Sequence, residues 1–395
     1  MRTFFLYSGL AGFYSLVHEK KIAIAAVIYF GVSFFILYKY GINTNGEATK
    51  YIEDAHRIVN GENLRNGFFS NFYFIYSLLV SFFIYFSFNL QGIACIQILL
   101  SFIAACCVYK ILLSETGDQK VSFITFAAYL LCLPIQKWNF FLYTESLHTS
   151  FTVAGLYFLY TIFQKAQIKS GWMLVFFLLL IIFSRPVGMI FFFTTIFIWM
   201  VWLIKKKQRV IYYPVIIGVS GLFIFLMQSK FVFYFNPDSL RRMEIICQVP
   251  QANSSLNYKE YNSAGLSSFV NVITNEIGIR NFFTLGIKKL LNFFGMVRGF
   301  YSYPHNAILF FTGIVLYPFA LAGIFFFKSE KTSCLKIFST LYIFITSVGI
   351  FFTCDEWSNR FIAPVMPYII ILAGLGLYFV KNKINSFSKA NKKSL

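Results

Sequence analysis

Apolar residues in this chain come in long unbroken runs rather than at helical or strand-like intervals. Runs near 20 residues recur at roughly 22–40, 91–113, 121–138, 148–164, 171–185, 187–204, 210–230, 304–327, 335–353 and 360–380. Runs of that length match the hydrocarbon thickness of a bilayer, where a helix satisfies its own backbone. The pattern predicts an all-α fold: a polytopic integral membrane helical bundle of about 10 transmembrane helices, with residues 1–395 in one domain. No internal repeat or soluble domain interrupts it.

Three stretches depart from the spanning pattern. In residues 47–62, Ala48, Tyr51, Ile52, Ala55, Ile58 and Val59 recur at helical spacing, with Glu, Asp and Arg on the other face. That spacing predicts an amphipathic helix lying on the membrane surface. Residues 70–89 are apolar but rich in aromatics and Ser, and we read them as interfacial or re-entrant. The first 18 residues have a basic start and an apolar run without a small-residue cleavage site. They are read as an interfacial helix before the first span, not a cleaved leader.

Composition agrees. The chain is 58% hydrophobic and 12% charged, with 53 Phe and a mean hydropathy of +0.68, whereas soluble domains carry roughly 25% charge. The formal charge of +19 resides in clusters between apolar runs: Lys205–Lys207 with Arg209, then Lys328, Lys331 and Lys336, then the tail 381–395. Basic clusters in short loops mark the cytoplasmic face, so the charge is a topology signal and nucleic acid is not an expected partner. Both termini are then cytoplasmic. The first loop (about 41–90), residues 139–147, the Ser184–Gly188 turn, the long loop 231–303 and Asp355–Arg360 lie outside. The long loop ends in a Phe- and Leu-rich stretch carrying Lys288, Lys289 and Arg298, which suits an interfacial helix near anionic head groups. Cys95, Cys106, Cys107 and Cys132 sit in apolar runs as buried thiols; Cys247 and Cys354 fall in outer loops, where a disulfide is allowed but not specified.

With only 15 Asp and Glu, their positions carry information. Glu47, Glu145, Asp355 and Glu356 abut spans on the outer side, and a carboxylate deep in a bilayer costs roughly 2.5–3.5 kcal/mol. Each has two readings. Glu145 is a general base or clamp, or it favours a helix start that Thr144 caps. Glu47 is functional, or an ordinary acid at a helix N-terminus. Arg185, before Pro186, is a phosphate partner, or it snorkels to the interface. Arg360 contacts lipid phosphate or sugar, or forms an ion pair within its own loop with Asp355 and Glu356. His56, His148 and His305 have no metal-ligand spacing, and no nucleotide-binding motif is present.

These pieces, in order, resemble the GT-C superfamily of membrane glycosyltransferases, nearest the branch of protein O-mannosyltransferases and the lipid A aminoarabinose transferase. Glu47, Tyr51, Ala55 and Gly61 match its first-loop spacing. Thr144–Glu145 match its acid before a later span, and Arg185, Pro186 and Gly188 match its Arg-Pro-x-Gly turn. Glu356, Arg360, Phe361, Pro364 and Pro367 match its late acid, arginine and prolines. The sequence departs in having Glu for the usual first Asp, Ala48 for the next Glu, and no Lys-Pro-Pro-Leu.

The resemblance implies inverting transfer of a sugar from a polyprenyl-phosphate donor to a glycan, lipid or protein acceptor, on the outer face of a bacterial inner membrane. It implies Glu47 as general base, with Glu145 orienting the acceptor or sharing that role. Arg185 and Arg360 would hold the donor phosphate, with Lys288, Lys289 and Arg298 as further candidates. Tyr51, Asp355, Glu356 and His148 complete the expected site. No cofactor is implied, and ligand spacing does not support a divalent cation. The competing classes are a polysaccharide polymerase, suggested by Arg241, Arg242, Arg280 and Arg298 in the long loop, and a lipid-linked sugar flippase or transporter.

Overall fold

The structure, a computed structural model, describes residues 2–64, 70–165, 168–205, 238–249, 270–327, 333–356 and 358–391. Among them, five helical stretches are long and apolar enough to cross a bilayer: Lys20–Tyr40, Gln91–Thr116, Tyr303–Phe325, Cys334–Phe352 and Met366–Ser388. They belong to α1 (Arg2–Tyr40), α4 (Gln91–Thr116), α12 (Tyr303–Phe325), α13 (Ser333–Phe352) and α14 (Met366–Asn391). The protein is an all-α membrane-embedded bundle.

The described residues do not supply the ten spans expected. α5 (Gln119–Leu131) and the helical residues Leu133–Phe140 give a sixth only if counted as one span bent by 49°. Ser170–Ile182 within α8 (Ile168–Ile182) and Gly188–Trp202 within α9 (Gly188–Lys205) are apolar but shorter. α7 (Thr144–Lys165) is long enough, but its first turns hold Glu145, His148 and several hydroxyls. The expected span at 210–230 lies outside the described residues. α1 also runs without a break where a separate leading helix is expected; nothing between His18 and Lys21 would end a helix.

The break in the 119–140 segment has a specific cause. Pro134 sits where α5 stops and the short α6 (Leu133–Gln136) starts, since a helix-interior proline loses a backbone bond and clashes with the preceding turn. The carbonyls freed beyond it need partners inside a membrane protein. The Gln97 amide of α4 donates to the carbonyls of Trp138 (3.2 Å), Asn139 (3.1 Å) and Phe141 (3.0 Å). The Asn139 side-chain amide donates to the Tyr29 hydroxyl (3.1 Å) and to the Gln136 side-chain Oε1 (2.8 Å). These buried polar contacts lock α1, α4 and the 132–141 segment together.

The same contacts settle the first loop. α1 ends beside this segment, where Asn43 forms a parallel bridge with Phe141, and α4 begins beside it, since Gln97 is six residues in. The chain therefore leaves and re-enters the bundle at one end, and α3 (Phe74–Tyr85) does not carry it across. α2 (Ala48–Val59) packs as its spacing predicts, with Ala48, Tyr51 and Ala55 buried. Tyr51 meets the rings of Tyr73 (5.6 Å) and Tyr76 (5.1 Å). Asp54 is buried rather than on the polar face.

α12 and α14 cross closely through Gly323 and Gly376, where an added Cβ would strike the backbone of Leu372 or Phe319; small residues at such crossings let helices approach. At the far end of the bundle Lys381 pairs with Asp118, and the Lys336 ammonium donates to the carbonyls of Ile324 (3.1 Å) and Phe327 (3.0 Å) at the end of α12. At the near end, α10 (Asp238–Arg241), a helical turn at Val272–Ile277 and α11 (Ile279–Gly295) share a small core of Leu240, Val272, Phe282 and Leu285 against Phe351 and Phe352.

Candidate active site

Four of the charged residues singled out from sequence converge at the near end. The Arg360 Nη1 lies 2.6 Å from Glu47 Oε1, and its Nε donates to Glu145 Oε1. Arg185 Nη1 lies 2.7 Å from the same Glu145 oxygen. Lys50 Nζ, one turn along α2, is 3.1 Å from Glu47 Oε2, and the Tyr51 hydroxyl reaches that oxygen at 3.5 Å. The result is a continuous ladder: Arg185, Glu145, Arg360, Glu47, Lys50.

Each rung is placed by its element. Glu47 stands at the N-cap position of α2 but makes no capping bond; its carboxylate is spent on Arg360 and Lys50. Gly46 turns the chain into α2 at φ +68, a left-handed conformation that favours glycine. The Tyr143 hydroxyl accepts from the Glu47 N–H (3.1 Å) and donates to the Asn45 carbonyl (3.0 Å), tying the start of α7 to the start of α2. Glu145 is fully buried in the first turn of α7. Thr144 does not cap that turn; its hydroxyl is buried without a hydrogen-bond partner. His148, one turn on, shares a 2.7 Å hydrogen bond with Ser184, whose hydroxyl also donates to the Ile181 carbonyl (2.8 Å). The bonding leaves His148 Nδ1 as donor. His148–Ser184 and Glu145–Arg185 are thus adjacent cross-links between α7 and the turn that Pro186 follows. Asn359, at φ +58, turns the chain into Arg360 while its amide donates to the Met296 carbonyl (2.5 Å).

Burial raises the Glu47 carboxyl, but the hydrogen bond and charge of Arg360, with Lys50, bring it down to about 2. Burial likewise lowers Lys50, which Glu47 partly restores. Burying charges is tolerated only when they are paired, and here each carboxylate has a cation on either side.

Two cavities flank the ladder. One of about 270 Å³ is lined by Glu47, Tyr143, Phe300, Glu356, Ser358 and Arg360. The other, about 460 Å³, is walled mainly by Tyr73, Pro186, Ile190, Ile350, Phe361 and Pro364, with Arg185 as its charged residue. The Arg185 Nε is buried without a hydrogen-bond partner, as is Glu145 Oε2.

The remaining sequence candidates are placed elsewhere. Asp355 does not pair with Arg360 inside their loop; it binds Arg298 Nη2 (2.5 Å) and the Asn292 amide (2.8 Å). Burial pushes the Asp355 carboxyl up to about 6 despite Arg298. Lys289 is fully buried with its ammonium on the Thr353 carbonyl, and burial lowers it to about 8. Lys288 is exposed on α11. Arg298, Lys288 and Lys289, the further candidates for the donor phosphate, are therefore outside the ladder. Arg241 is held by Glu276 (2.7 and 3.0 Å).

Sequence reasoning missed Lys50, Tyr143 and Lys137. The Lys137 ammonium reaches the Tyr301 hydroxyl (3.1 Å) and the Ser358 carbonyl, behind the smaller cavity. A lone lysine within an apolar run was the available signal, since such residues are costly and retained for a partner. Among the described residues no group of His, Cys, Asp and Glu could hold a metal ion. No protein-family model matches the chain, and neither the curated proteins nor the solved structures return a match.

Proposed function

We propose that the protein is a membrane glycosyltransferase that moves a sugar from a polyprenyl-phosphate donor to an acceptor hydroxyl, with inversion, at the outer face of the membrane. The observation that carries this reading is the shared arginine: Arg360 holds both Glu47 and Glu145, between an apolar cavity and a polar one. Over the five ladder residues three cations face two carboxylates, which favours an added anion.

In the proposed reaction the lipid chain lies in the larger cavity and its phosphate meets Arg185 and Arg360. The acceptor enters the smaller cavity beside Glu47. Its oxygen attacks the anomeric carbon as Glu47 takes the proton, and the bond to the phosphate breaks with its electron pair leaving on the phosphate oxygen. The arginines stabilise that charge. A carboxyl held near 2 is a weak base, and a good base titrates near the working pH. A phosphate on Arg360 would draw charge away from Glu47 and raise its proton affinity, so donor binding would switch the base on. Glu145, fully buried and shared by two arginines, fits an orienting role better than proton transfer.

The test is transfer of radiolabelled sugar from undecaprenyl-phosphate donors in membranes. Glu47→Gln is expected to abolish it at normal protein level; wild-type rates in that variant would remove Glu47 as the base. No transfer by the native protein from any donor, where a control enzyme works, would favour the polymerase or the transporter.

A further inference from the structure

The loop that carries Arg360 is fastened at its other end. Cys354 is disulfide-bonded to Cys247, with Cα atoms 5.1 Å apart and a sequence separation of 107. Around the bond the two segments run as a parallel bridge: the Asp355 N–H donates to the Ile245 carbonyl (2.9 Å) and the Cys247 N–H to the Asp355 carbonyl (2.8 Å). The Asp355 carboxylate is anchored in turn by Arg298 and Asn292. Both cysteines also line the apolar cavity, as do Arg185 and Pro186. The bond thus walls that cavity and sets the start of the segment that ends at Arg360. Cys95, Cys106, Cys107 and Cys132 remain free thiols.

We infer that Cys247 and Cys354 are positioning residues: their disulfide holds Asp355 and Glu356 in the register that brings Arg360 between Glu47 and Glu145, so the site assembles only on the oxidising side of the membrane. A cross-link closing so long a loop removes more freedom from the unfolded chain than one closing a short loop. Here the 238–249 segment meets the bundle through a small core. Forming the bond takes two electrons and two protons from the two thiols. They pass, through a mixed disulfide, to the disulfide of an exported dithiol–disulfide oxidoreductase, which leaves as a dithiol. The Lys-rich end, with Lys381 and Lys336, then faces the reducing cytoplasm. The effect on turnover rests on the transferase reading; the effect on structure does not.

Two measurements separate these. First, intact cells are treated with a membrane-impermeant maleimide, with and without a membrane-impermeant phosphine reductant. Cys247 and Cys354 are expected to label only after reduction; labelling without it, or labelling only in broken cells, overturns the inference. Second, hydrogen exchange is compared between the oxidised full-length protein, its reduced form and Cys247→Ser/Cys354→Ser. Exchange is expected to rise by about tenfold or more in peptides covering 354–365 and also 46–50, the Glu47 side of the ladder, and to return on reoxidation. A rise confined to 238–249 would show a staple without a positioning role and overturn the proposal. In the transfer assay, reduction is expected to raise the donor KM and lower kcat in the native protein, while the double-serine variant ignores reductant. If exchange responds as expected but no donor is used, the transferase reading fails and the positioning role stands.

Discussion

Arg360 Nη1 and Glu47 Oε1 lie 2.6 Å apart, joining the segment before α14 to the segment before α2. Arg360 is buried, while the Glu47 side chain is 42% exposed, so one end of the ladder opens to the polar cavity and the rest is enclosed. Replacing Arg360 tests both ends. Arg360→Ala is expected to lower transfer by about 10²–10³-fold, the usual cost of one charge-stabilising donor. Arg360→Lys should recover little, because one ammonium cannot span two carboxylates as a guanidinium fork does. Initial rates at saturating donor check this.

Glu145 bears mainly on stability. Its removal leaves Arg185 and Arg360 buried without their shared anion, and breaking a buried pair in that way costs about 3–5 kcal/mol. Glu145→Ala is therefore expected to lower the thermal midpoint in detergent far more than Glu47→Ala, whose carboxylate is partly exposed. Equal shifts would mean that the two acids are equally embedded, contrary to their burial.

Stability against pH should show two opposite slopes. Glu47 is lowered to about 2 in the folded protein, below the ordinary 4.5. Its contribution is complete above about pH 4.5 and is lost as pH falls towards 2; the difference between native protein and Glu47→Gln should shrink over that window. Asp355 is raised to about 6 from 3.8, so between those values the folded state holds a proton that the unfolded state has released. Stability then falls as pH rises from about 3.8 to 6. Asp355→Asn should lack that slope when melting is followed across the range.

The Gly46–Tyr143 contact offers a test outside the charged residues. A Cβ at Gly46 would lie 2.6 Å from the Tyr143 hydroxyl and would also require positive φ. Gly46→Ala is expected to cost more than about 1 kcal/mol and to weaken transfer by displacing Glu47. Tyr143→Phe, which keeps the ring but not the bonds to Asn45 and Glu47, should reduce transfer with little change in melting temperature.

The membrane class and the helical fold are legible in the residue pattern, because bilayer thickness makes run length a direct reading of a span and an unpaired backbone in hydrocarbon permits little besides helix. The spacing of Ala48, Tyr51 and Ala55 likewise set the buried face of α2. Acidic residues at span ends were conspicuous because so few are present. Their partners came from the packing of the bundle. Glu47 and Glu145 each had an adequate local explanation at a helix start, and Asp355 could have paired with Arg360 five residues on. Packing instead gave Arg360 to Glu47 and Glu145, and Arg298 to Asp355. Local spacing could not foresee this, because the paired residues come from segments far apart in the chain and meet only when the bundle closes. Lys50, Tyr143 and the Cys247–Cys354 bond became visible for the same reason.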